Sequence, residues 1–196
     1  MVRVGVVGVG GMGGAHCNTL PKVENCEFVG VADLRLEAAE EVASQHQILA
    51  FQDYRQLLEM VDGVVVATPP VAHRDVVVNA AKMNVHAFCE KPLSVDLVDS
   101  EAMIRASDEA NTVLMVGQVL RFYPVHVLGK KLIGQGEIGD VVYIETDYTG
   151  SYACPRSRPS SWYGSVGGFL ENGIHKSDLI NWFGGTAITV SAEVGS

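Results

Sequence analysis

Two stretches of this chain hold titratable side chains at spacings that suit proton and hydride chemistry. Lys91 stands in Glu90-Lys91-Pro92, directly after the apolar run Val85 to Cys89. A lysine at a strand end can hydrogen-bond a substrate hydroxyl and favour its deprotonation. The competing reading is a surface lysine paired with a neighbouring acid. Further along, Glu171 and His175 are spaced i, i+4, and Asp178 follows His175 at i+3. On an α-helix these side chains share one face. A histidine with carboxylates a turn to either side can act as general acid and base, because a carboxylate fixes the tautomer and orientation of the ring. A solvated helix with a charged face is the alternative. Gly173 within the same helix costs about 1 kcal/mol relative to Ala. That cost predicts a close neighbour there, either a cofactor ring or another backbone.

The elements that must position these groups begin at the N-terminus. Val2 to Val7 is a short β-branched run of the kind buried on both faces of a sheet. Gly8, Gly10 and Gly13 follow as G-x-G-x-x-G, and Asp33 closes the apolar run Phe28 to Ala32, 20 residues beyond Gly13. Strand, glycine turn, helix, strand and acid form the context of a dinucleotide fingerprint. Gly8 permits the turn, Gly10 lets backbone approach a pyrophosphate, and Gly13 lets helix and strand pack closely. Asp33 suits a ribose 2′-hydroxyl and repels a 2′-phosphate, which favours NAD over NADP; Arg35 is the one residue that points the other way. Ligands of an open α/β sheet sit beyond the carboxyl ends of its strands. The candidate cofactor contacts on that rim are Gly8, Gly10, Gly11, Met12, Gly13, Asp33, Leu34, Arg35, Thr68, Pro69, His73, Glu90, Lys91 and Gln118.

The remaining pattern alternates strand and helix. Helices are predicted over Leu34 to Gln47, Tyr54 to Met60 (capped by Asp53), Ala72 to Met83, and from a Ser94 or Asp96 cap to about Asn111. Strands are predicted over Ile48 to Phe51, Gly63 to Ala67, Val85 to Cys89 and Val113 to Val116. This is a doubly wound parallel α/β sheet over residues 1–118. Residues 119–196 read as an incomplete α+β domain. It has a helix over Pro124 to Gly134, a strand over Val141 to Thr149, a helix over Leu170 to Phe183 stopped by Gly184-Gly185, and a last strand over Ala187 to Val194. Two strands make an open, mainly antiparallel sheet with bare edges, which predicts self-association through that sheet. Between them, Arg156, Arg158, Trp162 and Tyr163 offer cations and aromatic faces to a sugar-like substrate, with a solvated connection as the alternative.

Bulk properties narrow the function classes. A formal net charge of −9 with no basic block argues against nucleic acid or an anionic membrane as partner. No apolar run approaches the length of a membrane span. Cys17, Cys26, Cys89 and Cys154 lack C-x-x-C spacing and read as free thiols of a reducing compartment, hence a cytoplasmic protein. His16, His46, His86 and His126 show no ligand spacing and read as structural. No metal motif is present.

The stretches VGVGGMGGAHCNTL, VADLRLEAAEEVA, ATPPVAHRDVVVNAAKMNVHAFCEKPLS, RFYPVHVLGKKLIGQGEIGDVVYIE and GGFLENGIHKSDLINWFGG together resemble the glucose–fructose oxidoreductase / inositol dehydrogenase / rhizopine-catabolism (Gfo/Idh/MocA) family. The resemblance covers essentially the whole chain. It implies an NAD(P)-binding Rossmann domain followed by an α/β domain that carries the substrate face and the oligomer contact. It also implies that Lys91 and His175 flank the nicotinamide. In such an enzyme the histidine takes the hydroxyl proton and the lysine stabilises the developing alkoxide. Glu171 stands where the family often has Asp. Family members commonly run well beyond 300 residues, so the resemblance further implies a fragment, a sheet completed by another chain, or a reduced second domain. The expected activity is oxidation of a secondary alcohol of a sugar or cyclic polyol. The alternatives are a non-catalytic NAD-binding or sensory protein, and a relative that uses NAD transiently in glycoside cleavage or epimerisation.

Overall fold

The computed structural model describes residues 1–147 and 169–193. The chain divides into two units, Met1–Gly117 and Gln118–Ser196. In the first, six parallel strands lie in the order β3-β2-β1-β4-β5-β6. They are β1 (Val2–Val7), β2 (Cys26–Ala32), β3 (Leu49–Phe51), β4 (Gly63–Val66), β5 (His86–Cys89) and β6 (Leu114–Val116). The helices between them are α1 (Gly11–Thr19), α2 (Leu36–His46), α3 (Tyr54–Leu58), α4 (His73–Lys82) and α5 (Leu97–Glu109).

Alternation along the strands divides the core between two faces. Val6, Val31 and Val65 pack with Cys17 of α1 and with Ala39 and Ala43 of α2. Their neighbours Val7, Ala32, Val64 and Val66 face the other way, onto Leu57, Leu58, Val76, Val77, Ala80 and Met103. Successive strand residues point to opposite faces, so a sheet covered by helices on both sides requires unbroken apolar runs. Strand order reverses between β1 and β4, and there the chain leaves both strands at the same edge of the sheet. Val7 O accepts the Ala67 N–H, while Gly8 N–H donates to Ala32 O.

The N-termini of α3 and α5 are capped by acids. Asp53 accepts the Arg55 N–H at 3.0 Å, and Asp96 accepts the Val98 N–H at 2.6 Å. Asp96 rather than Ser94 is therefore the N-cap of α5; Ser94 Oγ instead accepts the Asp96 N–H.

In the second unit, α6 (Pro124–Gly134) packs with α7 (Ile174–Gly184). Arg121 donates from Nε and a terminal nitrogen to the two carboxylate oxygens of Asp178, at 2.8 and 2.6 Å. Lys130 Nζ donates to Trp182 O. Two expectations change here. Val141 to Asp147 and Ala187 to Glu193 form no strand, so the expected antiparallel sheet is absent among the described residues. A lone extended segment has no ladder to join, and β geometry is held by pairing. The helix expected from Leu170 begins instead as a π-helical turn over Phe169–Gly173, before α7 proper.

Candidate functional site

The glycines of the turn at the β1–β4 reversal play three different roles. Gly8 adopts φ +89°, and a Cβ on it would lie 2.8 Å from Ala67 O. A Cβ on Gly13 would lie 1.8 Å from Gly8 O, so helix α1 sits against the turn as only glycine allows. Around Gly10 and Gly11 a Cβ would meet nothing within 4 Å. These two border open space at the N-terminus of α1, where the first N–H groups of a helix lack intrahelical partners and carry partial positive charge. The structure therefore keeps a cradle beside Gly10 that nothing in the fold's own packing requires. A pyrophosphate fits it in shape and in charge.

Asp33 closes one side of this cradle. Its Oδ2 accepts the Val9 N–H at 3.0 Å and its Oδ1 accepts the Arg35 N–H at 3.0 Å. The carboxylate is largely shielded yet keeps lone pairs for ribose hydroxyls. The Arg35 guanidinium stands 3.9 Å from Asp33 and is mostly exposed. Met12 and Leu34 are exposed apolar side chains at the same rim. Gln52 Nε2 donates to Leu34 O and extends the rim into a groove of about 490 Å³ lined by Leu34, Gln52, Asp53, Tyr54, Arg55 and Gln56.

On the β4 side, Thr68 Oγ1 is buried without a hydrogen-bond partner among the described residues. A buried hydroxyl left in this way carries a penalty that a bound polar group relieves. Gln118 Oε1, at the head of the second unit, is in the same condition. His73 departs from its expected role. Its ring is 1% exposed, and its two nitrogens face Leu93 O at 3.1 Å and Thr68 O at 2.9 Å. Burial lowers its proton affinity, against the pull of the Leu93, Thr68 and Pro92 carbonyls and of Glu90. A neutral ring carries one N–H, so His73 donates to one of these carbonyls and lays its other nitrogen against the second, and neither nitrogen is open to a nucleotide.

The turn after β5 carries Glu90, Lys91 and Pro92, with a cis peptide bond between the last two. Lys91 is half-buried. Glu90 is 9% exposed, and its Oε1 lies 2.7 Å from His16 Nε2 of α1. Burial disfavours its charge, but the His16 ring and the Lys91 N–H outweigh that and hold the carboxyl below its ordinary range. Glu90 thus faces α1 rather than the cradle. His16 is the residue that the sequence does not reveal: it stands 74 positions from its partner. Only the strand order, which sets β5 beside β4 and β4 beside β1, brings them together.

In the second unit, Asp178 gives both carboxylate oxygens to Arg121 and so fixes helix α7, whereas the sequence suggests it as a partner of His175. His175 is half-buried in the first turn of α7. Glu171 lies within the π-helical turn that precedes α7. Within the protein the close neighbour of Gly173 is a side chain and not a backbone; a Cβ there would lie 2.7 Å from the Phe169 ring. Arg156, Arg158, Trp162 and Tyr163 lie outside the described residues, as does Cys154. Cys17, Cys26 and Cys89 are free thiols. His46 packs on Phe28, His86 Nδ1 accepts the Val113 N–H, and His126 Nδ1 faces Leu120 O, all structural roles. No helix among the described residues is long and apolar enough to cross a membrane. No cluster of potential metal ligands occurs among them either.

Comparison with known proteins places the chain in a family. Residues 2–118 match the family described as GFO_IDH_MocA, oxidoreductase family, NAD-binding Rossmann fold, and residues 127–196 match the GFO/IDH/MocA C-terminal domain. The scyllo-inositol 2-dehydrogenase (NAD(+)) of Bacillus subtilis (strain 168) is 32% identical over 96% of this chain and 55% of its own length. The 2,7-anhydro-N-acetylneuraminate hydratase of Escherichia coli (strain K12) is 31% identical over 92% of this chain and 49% of its own. Among solved structures, scyllo-inositol dehydrogenase from Lactobacillus casei with bound NAD(H) and scyllo-inositol superposes with a TM-score of 0.81 at 23% identity. That superposition covers 94% of this chain and 56% of the other, a likeness of fold. The chain spans about half the length of the curated relatives it matches. The glycine cradle, the acid at the end of β2 and the two family matches lead to one conclusion: the chain belongs to the Gfo/Idh/MocA oxidoreductase family, with its NAD-binding Rossmann fold in residues 2–118.

Proposed function

We propose that this protein is an NAD-dependent dehydrogenase acting on a secondary alcohol of a sugar, cyclic polyol or related compound. The observation that carries the reading is the open cradle at Gly10 and Gly11, with Asp33 at its side and Lys91 on the same sheet edge. Gly10, Gly11 and the first turn of α1 hold the pyrophosphate, and Asp33 holds the adenosine ribose. Thr68 Oγ1 donates to the bound nucleotide. A bound nicotinamide supplies the two-electron acceptor. Lys91 donates a hydrogen bond to the reacting hydroxyl and stabilises negative charge on its oxygen, and His175 takes the hydroxyl proton onto its ring. Arg156, Arg158, Trp162 and Tyr163 are the candidate substrate contacts.

The Escherichia coli hydratase supports a second reading, in which the same residues serve a reaction with no net oxidation. Formation of NADH from NAD and a panel of inositols and hexoses separates the two. Replacing Lys91 or His175 by Ala should lower turnover at least ~100-fold with NAD affinity nearly intact. Full turnover in both variants would remove the catalytic assignment.

A further inference from the structure

The His16–Glu90 pair lies behind Lys91, and nothing in the proposed chemistry uses it. Its parts come from three elements. His16 belongs to α1, the helix whose first turn borders the cradle. Glu90 follows β5 and precedes Lys91 directly. Gly117 follows β6 and donates its N–H to Cys89 O. Glu90 Oε1 lies 2.7 Å from His16 Nε2, and Oε2 accepts the Lys91 N–H at 3.2 Å. The His16 ring also stands edge-on to Phe88 of β5, with centroids 5.4 Å apart. On the third side, a Cβ on Gly117 would lie 3.2 Å from Glu90 Oε2, so the carboxylate fills the room that glycine leaves.

We infer that His16 is a positioning residue: through Glu90 it locks the main chain of Lys91 to the helix that receives the pyrophosphate, and so sets where the lysine ammonium stands relative to the bound cofactor. The physical reason is the geometry of the carboxylate. One oxygen is held by the cofactor helix and the other holds the Lys91 N–H, so a shift of α1 passes to Lys91 through a single rigid group. A buried carboxylate stays in place only while its partners remain, since an unpaired one is strongly disfavoured. A lysine on a four-carbon stem needs such an anchor, because misplacement by about 1 Å can lower a rate by about 100-fold.

The inference rests on the proposed function for the role of Lys91, but its test does not depend on turnover. Lysines of the full chain are reductively methylated with 13C-formaldehyde, and the Lys91 methyl resonance is assigned by its loss in Lys91→Arg. In His16→Ala that resonance should move by more than its linewidth. In His16→Gln, whose amide can still donate to Glu90, it should return toward the wild-type position. Gly117→Ala pushes on the same carboxylate from the other side and should move the resonance with His16 intact, so the test survives if His16→Ala does not fold. Where hydride transfer is measurable, His16→Ala should lower kcat about 10-fold or more, with the Kd for NAD within about threefold of wild type. A Lys91 resonance unmoved in both folded variants would overturn the inference. Absence of hydride transfer in wild type would overturn the dehydrogenase reading alone, and the resonance would still decide the role of His16.

Discussion

Gly10 and Gly13 differ by three positions and by everything that surrounds them. A methyl group on Gly13 would run into Gly8 O, which is main chain and cannot step aside. Gly13→Ala should therefore destabilise the first unit by about 3 kcal/mol or more, read as a lowered midpoint in urea. The G-x-G-x-x-G spacing makes these positions legible in the sequence, because each glycine answers to a local turn and its neighbouring strand. His73 shows where local reasoning stops. Its place one turn into a helix on the ligand rim suggests a contact, yet both ring nitrogens go to main-chain carbonyls. One of those carbonyls belongs to Leu93, a residue 20 positions away. Its depressed proton affinity has a consequence for pH. The unfolded ring titrates near 6.5, so the stabilisation from the neutral folded ring is complete above that value and is lost as pH falls toward the lower folded value. The thermal midpoint should fall between about pH 7 and pH 5, and the slope should flatten in His73→Gln. An equal slope in both would remove His73 as the cause.

Among the elements, the first unit was legible almost throughout. Buried parallel strands demand continuous β-branched runs, and two of the helices between them, α3 and α5, carry capping acids that act within two residues. Asp96→Ala should cost about 1 kcal/mol, since the Val98 N–H then loses its acceptor; the unfolding midpoint checks this. The second unit was less legible. The run at Val141 alternates as a half-buried strand should, but alternation states only which side of a sheet a residue would face, not whether a partner strand is present. The Arg121–Asp178 pair was invisible for a similar reason: it spans 57 positions and joins α7 to the turn before α6. Asp178 is 12% exposed while Arg121 is 41% exposed. Arg121→Ala should thus loosen α7 by about 1–2 kcal/mol, a range reduced by solvent around the arginine. Faster amide hydrogen exchange confined to α6 and α7 would report it.

For the whole molecule, the fold and the reaction stand on different ground. The doubly wound sheet follows from strand order and burial, and the family match over residues 2–118 agrees with it. The cofactor part of the account belongs to the first unit alone and is tested there. The most direct measurement is a titration of the wild-type chain and of Gly10→Ala with NAD, NADH and NADPH, followed by Trp182 fluorescence or calorimetry, beside a thermal melt of each. A Cβ on Gly10 meets nothing in the protein, so its melt should match wild type. Wild type should bind NAD and NADH at least about 10-fold more tightly than NADPH, and the variant should lose at least about 10-fold in NAD affinity, a change of about 1.4 kcal/mol. An unaltered melt with weakened NAD binding would show that the space beside Gly10 is where the pyrophosphate lies. Equal NAD affinity in the two proteins, or no nucleotide binding by wild type, would contradict the account.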